Sequence, residues 1–163
     1  TKMIEEMAES SESGETPVEV TTSPKGVTIG ISSDISFESG SATTKSGFLE
    51  ILEKIVPTIQ ESYFMIAVEG HTDSDPLPKN LRVKYPSNWE LSGARASAVV
   101  RLLIGLDVDP VRLQSVGYGE FAPRDKNTAE IITADLIQKY NSTPQQKSRN
   151  RRVEITFLTP NQL

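Results

Sequence analysis

The chain has 163 residues, with 17 lysines and arginines against 22 aspartates and glutamates, one histidine and no cysteine. That length suits one domain with a short tail; the absence of cysteine and of a second histidine excludes a zinc site, a cysteine nucleophile and disulfide staples. No run approaches the ~18 apolar residues of a membrane-spanning helix, and Thr1 in place of Met reads as the cut end of a longer protein.

The net charge of −5 is concentrated at the start. Glu5, Glu6, Glu9, Glu12 and Glu15 face only Lys2, so residues 1–16 read as an acidic linker remnant and 17–163 as a nearly neutral folded domain. A nucleic-acid-binding domain would be net basic, so nucleic acid is not an expected partner. From Val18 the pattern VEVTTSPKGVTIGIS alternates apolar and polar residues on both sides of Ser23-Pro24-Lys25-Gly26, as a hairpin does. Phe37 and Gly40 follow in a polar loop. Phe48, Leu52, Ile55 and Ile59 then recur at three- and four-residue steps and predict a helix from Thr44 to about Gln60, which Pro57 should kink or break. The run 64–70 (FMIAVEG) predicts a buried strand, followed by a long loop from His71 to Pro86. Ser87-Asn88-Trp89-Glu90 has capping-box spacing and opens a helix to about Leu106. Asp109-Pro110 starts a turn and 113–119 (LQSVGYG) predicts a strand. Asn127 to Glu130 repeats the capping-box spacing ahead of a helix ending near Tyr140, and 151–158 (RRVEITFL) predicts the last strand. The order ββαβαβαβ implies an α+β fold with helices packed on a mixed β-sheet.

Three places can carry chemistry. In the helix 89–104, Leu91, Arg95, Ala98 and Leu102 share one stripe, so Arg95 interrupts an apolar face. Two readings stand side by side. Its stem can lie along the core edge with its head in water or on an internal Glu, or its guanidinium can be held to grip a carboxylate through two parallel bonds. Gly70-His71-Thr72-Asp73 follows a strand and can present Asp73 to a pocket, although an Asp there also serves as a turn cap. His71 stands alone and reads as a satisfied, partly buried histidine, not a metal ligand. Third, residues 147–152 (KSRNRR) place four positive charges before the last strand, and Lys79, Arg82 and Lys84 add more in the long loop.

The blocks GHTD (70–73), NWELSGARASAVVRLL (88–103), GYGEFAP (117–123) and NRRVEI (150–155) together resemble the OmpA-like peptidoglycan-binding domain, in its order, over roughly residues 27–158. Within that family, YPSNWELSGARA (85–96) and the enlarged stretch 75–86 are most similar to the C-terminal periplasmic domain of the MotB-type wall-anchoring B subunits of flagellar stators, proton- or sodium-driven. The resemblance implies a periplasmic domain of an inner-membrane protein that binds peptidoglycan without cleaving it. It also implies no cofactor, a homodimer, and a stator A subunit as partner through a membrane helix N-terminal to Thr1. It places Asp73 and Arg95 on the diaminopimelate of the stem peptide, with Asn88 and Arg151 as further contacts and Thr72 and Leu91 lining the site. Diaminopimelate ends in a zwitterion, so an acceptor for its ammonium and a fork for its carboxylate are what such a site needs. Arg152 would point to the other strand face if Arg151 meets the ligand. An outer-membrane lipoprotein or a secretion-system tether of the same family is the alternative. Hydrolysis would want paired carboxylates or an activated nucleophile; Asp73 and Asp75 lack a partner base, so no enzymatic activity is expected. The long segment 127–149 and the loop 75–86, which borders the pocket, suggest regulated access, with the acidic lead-in as the linker.

Overall fold

The computed structural model describes residues 18–160, so the acidic segment 1–16 lies outside the described residues. Two strands, β1 (Val18–Ser23) and β2 (Gly26–Ser32), form the antiparallel hairpin that the alternation predicts. Gly26 is required in it: its φ is +134°, and a Cβ there would lie 1.9 Å from the Phe157 carbonyl oxygen. A four-residue helix, α1 (Ser33–Ser36), follows and is capped by the Ser32 hydroxyl. The sequence pattern missed it, because one turn is too short to show a period. Phe37 lies in the connection that follows, as expected, but it is buried and packs against Phe48 with ring centroids 5.5 Å apart.

Helix α2 (Ser46–Glu61) buries Phe48, Leu52, Ile55, Val56 and Ile59, the expected stripe and one neighbour. It runs through Pro57 without breaking. An internal proline costs about 3 kcal/mol, whereas five buried apolar side chains at ~1.5–3 kcal/mol each outweigh it. Strand β3 (Ile66–His71) leads through the loop to α3 (Asn88–Gly105). Ser87 caps α3: its hydroxyl accepts from the Trp89 amide at 3.2 Å, while the Glu90 carboxylate accepts the Ser87 amide at 2.8 Å. Strand β4 (Leu113–Gly117) returns parallel to β3, which α3 makes possible as the crossover.

The expected helix from about Asn127 is not formed. Asn127 and Glu130 do exchange bonds (Asn127 amide to the Glu130 carboxylate at 3.0 Å, Glu130 amide to the Asn127 carbonyl at 3.0 Å), but they close an isolated turn. Ile131 beyond it is exposed and has no core to pack on. Helix α4 starts only at Ala134, capped by Thr133, and ends at Lys139. Helix α5 (Pro144–Asn150) was unforeseen, yet Thr143-Pro144-Gln145-Gln146 carries its signature, a capping box with proline at the first turn. Strand β5 (Arg152–Leu158) closes a five-stranded sheet in the order β1-β2-β5-β3-β4, with only β3 and β4 parallel.

Strand register sorts the sheet into two faces. Ile29, Ile155 and Val68 pair across three strands and point to the core with Ile31, Val153, Ile66 and Phe157, against α2 and α3. The alternate rows are polar: Thr28 with Thr156, whose hydroxyls lie 2.8 Å apart, then Glu154 with Glu69, then Arg152 with His71. Both α2 and α3 therefore serve one side, and the crossover places the start of α3 beside the end of β3.

Candidate functional site

The site assembles where three motif blocks interlock. Gly70 is the penultimate residue of β3 and Gly117 ends β4, and the two are paired in register. A Cβ on Gly70 would lie 2.1 Å from the Ser92 carbonyl oxygen, and one on Gly117 would lie 2.6 Å from the Gly93 nitrogen. The two glycines thus form a flat notch that receives the backbone of α3. Ser92, fully buried, locks it by accepting the Gly119 amide at 2.9 Å and donating to the Trp89 carbonyl at 3.1 Å. This contact fixes Asp73, three residues past Gly70, relative to Arg95, three residues past Ser92.

Thr72, Asp73, Asn88, Leu91, Arg95 and Arg151, the six residues singled out in the sequence, line one cavity of about 520 Å³. Arg95 is 6% exposed and its guanidinium lies over the Phe37 ring at 5.1 Å. Its Nε donates to the Ser41 carbonyl at 2.8 Å. Among the described residues no acceptor lies within hydrogen-bond distance of its two terminal nitrogens. Burial lowers its pKa, opposed by Asp34, Tyr85 and Asp73, but a guanidinium stays charged in a protein. Of the two readings open for Arg95, its head meets no internal Glu; it is a largely buried cation whose free fork faces the cavity.

Asp73 accepts the Asp75 amide at 2.9 Å through Oδ1 and the Arg151 Nη1 at 2.7 Å through Oδ2. Arg151 faces the cavity and Arg152 faces away, as alternation requires, with Nε donating to Glu154 at 2.8 Å and Nη2 to the Ala122 carbonyl at 3.0 Å. The Asn88 side chain is a strap: its Nδ2 donates to the Asp75 carbonyl at 3.1 Å and to Glu120 Oε2 at 3.0 Å, tying the loop and the GYGE block to the start of α3. The Thr72 hydroxyl donates to the Asp73 carbonyl at 2.8 Å. Leu91 packs with Leu77 and Tyr85 in a small apolar cluster. That cluster anchors the loop 75–86, whose Asp75, Pro76, Leu77, Pro78 and Leu81 form one wall of the cavity.

Sequence reasoning missed two sets of residues. Asp34, on α1, lines the cavity and pairs with Arg151, with Nε at 3.0 Å from Oδ1 and Nη2 at 3.2 Å from Oδ2. No sequence signal marks it, since its partner lies 117 residues away. The buried Asn141 and Asn150 form the second set. Asn150 Nδ2 donates to Asn141 Oδ1 at 2.9 Å, Asn141 Oδ1 accepts the Ser74 amide at 3.2 Å, and Asn150 Oδ1 accepts the Arg124 amide at 2.7 Å. The segment 127–149 is thereby stapled to the loop behind Asp73, and the first residue of the NRR block gains a structural reason.

On the polar sheet face, Glu69, His71 and Glu154 are the one group among the described residues whose ligand atoms lie close enough to share a cation. Arg152 already supplies that cation to Glu154. The His71 Nδ1 is buried without a partner, so the proton of a neutral ring belongs on Nε2, which faces Glu69 at 3.4 Å and Glu154 at 3.7 Å and then has no lone pair for a metal. His71 is therefore more buried and less satisfied than expected; its ring stacks on Tyr118 at 5.1 Å.

Burial, helped by Arg152 and Lys25 and opposed by Glu154, pushes the His71 pKa from 6.5 to about 3. A neutral buried imidazole whose unfolded form protonates below pH 6.5 makes stability fall as pH drops from about 6.5 towards about 3, by ~1.4 kcal/mol per pH unit. Glu69, raised above 4.5 by burial, acts in the opposite sense as pH rises through its range. Between pH 7 and pH 5, the His71→Gln variant is expected to lose about 2 kcal/mol less stability than the parent in urea denaturation. Equal losses would show that His71 is not held neutral.

The model of the OmpA family matches residues 36–135, more than half of the chain, and the chain belongs to that family. It is 30% identical over 143 residues to Motility protein B of Bacillus subtilis, covering 86% of this chain and 48% of that protein, so it spans about half the length of this relative. Among solved structures, it matches the cell wall anchor of the T6SS from Pseudomonas aeruginosa with a TM-score of 0.67 at 30% identity, covering 88% of each chain. It matches the periplasmic domain of Helicobacter pylori MotB (residues 97–256) with the same TM-score at 28% identity, covering 87% of this chain and 88% of that one.

Proposed function

We propose that this chain is a non-catalytic peptidoglycan-binding domain that anchors a flagellar stator to the cell wall from the periplasmic side. The observation that carries the reading is the cavity in which Arg95, a buried cation with a free fork, shares walls with the carboxylate of Asp73. A planar guanidinium takes a carboxylate through two parallel bonds, and an aspartate takes an ammonium. Together they suit the zwitterionic end of a diaminopimelate residue in a stem peptide, with Arg151 next to the carboxylate and Leu91 against the methylenes. Asn88 and Thr72 shape the site by holding the segment 73–75. The similarity to Motility protein B supports the stator assignment, with a homodimer and a stator A subunit as partners.

The described chain is expected to co-sediment with purified sacculi, and soluble tripeptide ending in diaminopimelate should release it. Asp73→Asn should weaken retention at least tenfold, since a charge-assisted bond is worth roughly 1.5–3 kcal/mol. Unchanged retention would refute the site. The similarity to the T6SS cell wall anchor favours a second reading, a secretion-system tether with the same site. A membrane helix carrying an aspartate ahead of Thr1 would decide for the stator.

A further inference from the structure

Without ligand, Arg151 is paired within the cavity while the fork of Arg95 stays free. Arg151 lies between two carboxylates, donating once to Asp73 at 2.7 Å and twice to Asp34 at 3.0 and 3.2 Å. Its pKa is raised by these partners, Asp34 foremost. A ligand ammonium that reaches Asp73 competes with Arg151 for its carboxylate, and the like charge of the nearby Arg95 opposes leaving Arg151 unpaired. Asp34 is held in place independently of Asp73: its amide donates to Ser32 Oγ at 3.3 Å, its carbonyl accepts from Lys45 Nζ at 2.8 Å, and its Oδ2 accepts from Ser148 Oγ at 3.3 Å.

We propose that Asp34 is a specificity-determining residue of the cavity: it retains Arg151 when a zwitterionic amino-acid head parts the Arg151–Asp73 pair, so that Asp73 passes to the ligand ammonium while Arg151 stays beside the ligand carboxylate. The inference rests on the peptidoglycan-binding reading and names what that site selects. The Arg151–Asp73 pair is itself an internal copy of the ammonium–carboxylate pairing that the ligand brings, and inserting a zwitterion exchanges one such contact for two. Asp34 favours that exchange because it keeps Arg151 paired and in place while Asp73 is released to the ligand. With Asp34 present, a head bearing both charges is selected; without it, Asp73 remains on Arg151, and a head bearing a carboxylate alone binds as well as one bearing both.

The test is calorimetric titration with two peptides, L-alanyl-γ-D-glutamyl-meso-diaminopimelate and the same peptide acetylated on the distal amine. The parent chain is expected to prefer the free amine. Asp34→Asn should lower affinity for the free-amine peptide about tenfold or more and leave the acetylated peptide within a factor of two or three, so that the preference disappears. Asp34→Glu, which keeps the carboxylate, should restore part of the preference. Retained preference in Asp34→Asn overturns the proposal, and so does equal loss for both peptides, which would make Asp34 merely structural. A parent chain that binds neither peptide overturns the peptidoglycan reading itself, and with it this inference.

Discussion

Replacing Arg95 by alanine is expected to abolish retention on sacculi while leaving the domain folded. Removing one partner of a buried arginine–carboxylate contact costs about 2–5 kcal/mol of binding, roughly 30-fold to several thousand-fold. In the unliganded fold, the substitution removes the Nε bond to Ser41 and the contact over Phe37. These are worth about 1.5–3 and ~0.5–2 kcal/mol. It also removes a buried charge whose desolvation costs several kcal/mol. The two sides nearly offset, so the unfolding midpoint should move little even as binding disappears. Arg95→Lys keeps the charge but loses the fork, and it should bind at an intermediate level. Sedimentation with sacculi and thermal unfolding of the same samples read both effects; retention at the parent level would remove Arg95 from the site.

The largest expected loss of stability comes from Gly70→Ala. The added carbon would meet the Ser92 carbonyl oxygen at 2.1 Å and its carbon at 2.8 Å. Both are helix backbone, so no rotamer change relieves the clash, and α3 must lift from the sheet. Overpacking against backbone costs about 3 kcal/mol or more, which for a domain of this size lowers the midpoint by ~10 °C. Binding should fail too, because Asp73 and Arg95 are set by this contact. Gly93→Ala, in the same helix, is the control: nothing lies within 4 Å of a Cβ there, and alanine in a helix interior gains roughly 0.5–1 kcal/mol. A Gly70→Ala domain within ~1 kcal/mol of the parent would mean that the notch is looser than the structure shows.

The elements legible in the sequence are those whose signal is local. The hairpin around Pro24-Lys25, the stripe of α2 and the Ser87 capping box each lie within a few residues of their partners. The errors arose where a correct local pattern lacked tertiary support. Asn127 and Glu130 make their capping bonds, yet without an apolar face to bury they close only a turn. At Pro57, where a kink or a break was expected, packing instead overrode the local signal: Phe48, Leu52, Ile55 and Ile59 carry the helix through without a break. In the site, Arg95 was legible because a charge on an apolar stripe is a local anomaly. Asp34 was not, since an aspartate in a polar stretch is ordinary until the fold brings Arg151 to it.

The α+β class was legible in local patterns, and the family and the six residues that line the cavity followed from motif blocks that resemble the family's. Which charges face one another depends on the fold. It turned Arg151 inward and Arg152 outward, placed Asp34 opposite Arg151, and left the fork of Arg95 open. The physical reason is that charge pairing here depends on strand order and on the close approach of α3 to Gly70 and Gly117, contacts between residues far apart in the chain.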